Sequence, residues 1–148
     1  MRRLAFLTAV VLVLAACGGS SKSKTQPGTG PSPAVTKQTI TNNWEKFFSS
    51  KTDVEGKVRL MQNGERFKPV IRAFASNPLA SNVSATVSSV TLQGPNKARV
   101  VYVVKFGGAS LPKQTGVAVR ENGTWKVGDA SLCRLIALGG TTPSACKS

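Results

Sequence analysis

The chain has 148 residues, with 20 Lys and Arg against 6 Asp and Glu, three cysteines and no histidine, for a formal net charge of +14. Without histidine, Ser-His-Asp and Cys-His mechanisms are excluded. The chain has no CxxC pairing either, so no metal and no cofactor is expected.

Arg2 and Arg3 precede an apolar run from Leu4 to Leu14, and small residues follow, an order that reads as a secretory signal peptide. The run is too short to span a bilayer, which needs roughly 20 apolar residues. Its end, Leu14-Ala15-Ala16-Cys17, resembles the lipobox of bacterial lipoproteins. The resemblance implies that residues 1–16 are removed and that Cys17 carries a diacylglyceryl thioether. The thiolate is the nucleophile that takes the lipid. Two or more acyl chains hold a protein to a membrane where one is marginal. The expected location is therefore the cell membrane, lipid-anchored, facing outside the cytoplasm.

Loss of Arg2 and Arg3 leaves 18 basic residues against 6 acidic ones, about +12. Residues 17–35 comprise the lipidated cysteine and GGSSKSKTQPGTGPSPAV, a Gly/Ser/Pro-rich tether that buries too little to fold. Ser21 to Lys24 matches the S-x-x-K pattern of serine hydrolases, but a tether holds no catalytic geometry. Lys22 and Lys24 beside the anchor each favour an anionic bilayer by about 1 kcal/mol. Residues 36–148 are expected to form one domain.

Ile40, Trp44, Phe47 and Phe48 make a helical stripe, with Thr36 as the expected cap. TDVEGKVRLMQNGERFKPVIRAFAS reads as two short helices broken at Asn63-Gly64. The second carries Phe67, Val70, Ile71 and Phe74 on one face and stops before Pro78. SATVSSVTLQ, KARVVYVVKF, LPKQTGVAVRE and TWKVGDASL then read as four strands. Ala85 and Val87 differ in parity from Val90 and Leu92, which makes Ser88-Ser89 a candidate β-bulge. KARVVYVVKF is apolar on both faces and is expected to be covered on both. For the last hairpin, a three-residue loop Glu121-Asn122-Gly123 is expected, pairing Val119 with Trp125 and Val117 with Val127. Cys133 and Cys146 remain as an even pair in an exported domain, expected to form a disulfide worth roughly 3 kcal/mol.

Helices followed by an antiparallel meander make an α+β layout: N-terminal helices packed on a curved four-stranded antiparallel sheet. Such a layout suits the cystatin-like or nuclear-transport-factor-like cone. Trp44 to Phe48, Leu60 to Gly64, Ala98 to Tyr102, Gly123 to Val127, and Cys133 to Cys146 with Pro143 together resemble one family over residues 36–148. These are the actinobacterial exported lipoproteins related to the mycobacterial low-molecular-weight secreted antigen. The resemblance implies an envelope protein, immunogenic in pathogens, with no assigned catalytic activity, and it carries over no functional residue.

Function is expected to be non-catalytic binding, of a partner protein or of an anionic or apolar envelope molecule such as anionic lipid or glycopolymer. Lys37, Lys46, Lys57, Arg59, Arg66, Lys68, Arg72, Lys105, Lys113, Arg120 and Lys126 spread the positive charge through the fold. Nucleic acid is not expected, since export removes it and the aromatics sit on core stripes. Trp44, Phe48, Phe67, Phe74, Tyr102 and Trp125 are the candidate lining of a pocket between helix and sheet. The alternative is a pocket isomerase or hydratase of the nuclear-transport-factor-like type, whose acid would come from Glu45, Asp53, Glu55, Glu65, Glu121 or Asp129. Asp53 and Glu55 fit a helix start or a solvated ion pair better. A cystatin-style inhibitor would need apolar hairpin loops, and E-N-G-T is polar.

Overall fold

The computed structural model describes residues 30–147. Residues 1–29, and with them the signal segment, Cys17 and most of the expected tether, lie outside the described residues. The first helix, α1 (Pro33–Phe48), begins earlier than expected: Ser32, not Thr36, is its cap, accepting from the Val35 N–H. The reason is the Ser-Pro pair, a capping hydroxyl followed by a residue with no N–H to satisfy. Residues 33–35 thus belong to the helix rather than to the tether. Ile40, Trp44, Phe47 and Phe48 are buried along one stripe, as the spacing requires.

The expected pair of short helices follows as α2 (Val54–Arg59) and α3 (Gly64–Ala75). Asn63 between them is left-handed, and a Cβ on Gly64 would lie 1.9 Å from the Val58 carbonyl oxygen. A 3-10 turn (Pro78–Asn82) then leads into the sheet. Its strands are β1 (Ser84–Leu92), β2 (Lys97–Phe106), the two-residue β3 (Ala109–Ser110), β4 (Gln114–Glu121) and β5 (Thr124–Val127). The four main strands are antiparallel in the order β1-β2-β4-β5 and curl into a half-barrel, so the fold is α+β.

The register slips between Val87 and Ser89, which leaves Ser88 as the bulge residue and returns Val90 to the inner face with Val87. β2 departs from expectation. Ala98, Val100, Tyr102 and Val104 are buried, but Val101 and Val103 on the outer face are only half-buried. The last hairpin also differs. Glu121 pairs with Thr124 and Arg120 with Trp125, so the loop is the two residues Asn122-Gly123. Both have positive φ, 51° and 80°, the backbone that matches the twist of the flanking strands. Ala118 and Val127 therefore face inward together, while Val117 and Val119 go to the outer face.

The expected fourth strand is also shorter than read. It ends at Val127, and Asp129–Ala137 forms α4. The Ser131 hydroxyl takes over the ladder there, accepting from Val117 N–H at 2.7 Å and donating to Val117 C=O at 3.2 Å. A side chain thus satisfies the backbone that a longer β5 would have paired. On its free side β5 is covered by the α2–α3 connection: Val127 N–H donates to Leu60 C=O and Gln62 N–H donates to Val127 C=O. Cys133 and Cys146 are disulfide-bonded, tying the C-terminal 3-10 turn (Ser144–Cys146) to α4.

The core lies between α1 and the concave sheet. Trp44 packs edge-on to Tyr102, with centroids 5.0 Å apart, and Phe48 stacks on Tyr102 at 5.6 Å. Room for the indole comes from Gly116, where a Cβ would lie 2.8 Å from two indole carbons.

Candidate functional site

The short helix α2 exists because Asp53 caps it, accepting the Gly56 N–H at 2.8 Å. Its inward stripe runs Val54, Lys57, Val58 and on to Met61, the spacing of one helical face. One member of that stripe is a lysine. Lys57, counted from the sequence among the spread surface charges, is 8% exposed. Its Nζ donates to the carbonyls of Phe47 and Ser49, at 2.5 and 2.7 Å, and lies 5.8 Å from the Phe47 ring centroid. Those carbonyls end α1, where no intrahelical partner exists and the helix dipole favours a cation.

Burial pushes the Lys57 ammonium down to about 8, while the two carbonyl acceptors favour its charged form. At neutral pH it remains a cation. No carboxylate stands within 4 Å of it among the described residues. A buried cation without a counter-charge is uncommon and marks a place where an anion would be stabilised.

Beside Lys57 is a cleft of about 250 Å³ at the end of the half-barrel, lined by Phe48, Ser50, Thr52, the α3 end from Phe74 to Ser76, and Asn77, Pro78, Ala80, Ser81 and Val83. Phe74 is 41% exposed and packs on Phe106, with centroids 5.9 Å apart; Leu79, in the 3-10 turn, is 54% exposed. Phe48, Phe74 and Val83 give the cleft an apolar lining, and Lys57 is the one basic residue in it. A second, more open groove on α3 runs past Glu65, Lys68, Pro69 and Arg72. Its lysine is already paired with Glu55 at 3.0 Å.

Of the six aromatics expected to line a pocket, Phe48 and Phe74 reach the end cleft. Trp44, Phe67, Tyr102 and Trp125 are between 1% and 6% exposed and belong to the core. The space under α1 is filled by their own rings, so the cleft lies at the end of the cone rather than under its helix. Burial also pushes the Tyr102 phenol up to about 12, with the Arg134 charge pulling the other way. The Trp44 indole N–H is buried with no hydrogen-bond partner among the described residues. It is held there by ring packing.

The acidic residues are tied to backbone or to lysine. Glu45 accepts from Val87 N–H beside the bulge, Asp53 caps α2, and Asp129 accepts from Ala130 N–H and Asn63. Glu55 and Glu65 flank Lys68, and Glu121 pairs with Lys126. Lys97, Arg99 and Lys105 stand on the exposed outer face of β2.

The segments that carry the resemblance serve the fold. Trp44 to Phe48 and Ala98 to Tyr102 face each other across the core. Leu60 to Gly64 covers the β5 edge, with Gln62 accepting Asp129 N–H at 3.1 Å. Gly123 to Val127 is the turn and strand of the last hairpin. A family model described as "Low molecular weight antigen MTB12, C-terminal domain" matches residues 33–143. No curated protein and no solved structure matches the chain.

Proposed function

The chain belongs to the low molecular weight antigen MTB12 family by its C-terminal domain, and from that premise we propose a lipid-anchored, non-catalytic envelope protein whose domain binds an envelope molecule of mixed apolar and anionic character. The lipid on Cys17 is supported by the Leu14-Ala15-Ala16-Cys17 order and the polar stretch behind it. Binding is supported by one observation above the others: a cleft lined by Phe48, Phe74 and Val83 also has the buried Lys57 in its lining. The pocket-enzyme alternative needs a carboxyl group in such a cleft, and its lining holds none.

Native and denatured mass spectra of the protein extracted from membranes in mild non-ionic detergent test both halves. The denatured mass is expected to show a chain starting at Cys17 with acyl mass added. An unmodified chain cut elsewhere removes the anchor from the proposal. The native spectrum is expected to carry an adduct lost on denaturation, and a bare native mass counts against ligand binding.

A further inference from the structure

We propose that the end cleft is a fatty-carboxylate site, with the Lys57 ammonium on the carboxylate and Phe48, Phe74 and Val83 around one acyl chain. The inference rests on the reading of the domain as a binding module and names the class of its ligand.

The head group follows from the donors. Two of the three Lys57 N–H groups are taken by the Phe47 and Ser49 carbonyls, which leaves one for an anionic oxygen. Ser50 and Thr52, each with a hydroxyl, line the same cleft. They suit the second oxygen. No arginine lines the cleft, so the bidentate fork that favours phosphate is missing. One cation and two hydroxyls match a monoanion.

The tail follows from volume and exposure. A space of about 250 Å³ gives room for a short acyl segment. The rest of the chain would leave over Phe74, the exposed apolar residue in the cleft lining. Burying its exposed surface against a methylene chain stabilises the complex at about 25 cal/mol per Å².

Competition in native mass spectrometry tests the proposal. The full extracted protein is incubated with equal dodecanoate and dodecanol, which differ in head charge but share a tail. Dodecanoate adducts are expected to exceed dodecanol adducts about tenfold. Lys57→Met should abolish that preference, and Ala75→Trp, which fills the cleft mouth without touching Lys57, should abolish both adducts. Should Lys57→Met fail to fold, Ala75→Trp decides alone. Equal adducts in the wild type, an intact preference in Lys57→Met, or dodecanoate retained by Ala75→Trp overturns the proposal. So does a stronger adduct from dodecyl phosphate. A native envelope adduct that neither probe displaces leaves the binding module standing and the carboxylate assignment refuted. Neither native adduct nor probe adduct refutes both.

Discussion

The Lys57 ammonium donates to the Ser49 carbonyl at 2.7 Å, so the second helix closes the open end of the first. The same contact buries a charge, and that makes stability depend on alkaline pH. Unfolded, Lys57 keeps its proton up to its ordinary value of 10.5; folded, it releases it near 8. Between these values the unfolded chain binds more protons, so unfolding free energy rises with pH. Below pH 8 the cost of the buried charge is constant. Tyr102 acts with the opposite sign at higher pH. Unfolded it ionises at 10.0 and folded at about 12, so stability falls across that interval. Urea denaturation between pH 7 and 11 should show a maximum near pH 10. Lys57→Met should flatten the rising limb, and Tyr102→Phe the falling one.

Ser131 completes the β4 backbone pairing where β5 has ended. Ser131→Ala leaves the part-buried Val117 N–H without a partner, at about 1–3 kcal/mol. Hydrogen exchange is the sensitive check: the Val117 amide should exchange faster in the variant while Val100 and Tyr102 amides on β2 keep their protection.

Gly116 is small because the Trp44 indole lies against it. Gly116→Ala pushes a methyl group into the ring and should destabilise by about 1–3 kcal/mol. Trp44→Phe removes part of the clash at its own cavity cost. The double variant should therefore lose less than the sum of the singles, as residues in contact do. Additive losses in chemical denaturation would separate the two positions.

The Cys133–Cys146 bond closes a loop of 13-residue separation. Replacing both cysteines by serine should cost roughly 3 kcal/mol, chiefly by freeing the unfolded chain. The bonded turn packs on α3 and α4, with Arg66 donating to Lys147 C=O at 2.9 Å. Thermal unfolding should thus show a lower midpoint and an unchanged far-ultraviolet spectrum before the transition.

In the last hairpin Gly123 holds φ at +80°. Gly123→Ala should cost about 1 kcal/mol or more, since alanine resists that conformation, whereas Asn122→Gly stays within a few tenths. Equal effects of the two substitutions on the denaturation midpoint would contradict the two-residue turn.

Much of this architecture is legible in order and spacing. Ile40-Trp44-Phe47-Phe48 announces a buried helix, Asn63-Gly64 a break, and the parity change around Ser88 a bulge, because each is a local pattern with a local cause. The hairpin has no such local cause. Asn122-Gly123 suits either loop length, and the pairing of Val119 with Trp125 favours the longer one in sequence; the structure takes the shorter, with Ala118 rather than Val119 facing inward. The length of β5 is hidden for a similar reason, since nothing near Ser131 says that its hydroxyl will replace a strand. Lys57 left a signal, a lysine on the stripe of Val54, Val58 and Met61, but its meaning required knowing where α1 ends.

The sequence by itself determined the α+β order, the pairing of Cys133 with Cys146, and the family to which the motifs belong. These rest on short-range periodicity, on an even cysteine pair, and on core residues whose spacing the fold demands. Only the tertiary structure decided that Trp44, Phe67, Tyr102 and Trp125 fill the core, that the cleft lies at the end of the half-barrel, and that Lys57 is its buried charge. Those facts depend on contacts between segments far apart in the chain, where burial and unmet backbone carbonyls, rather than spacing, assign each side chain its role.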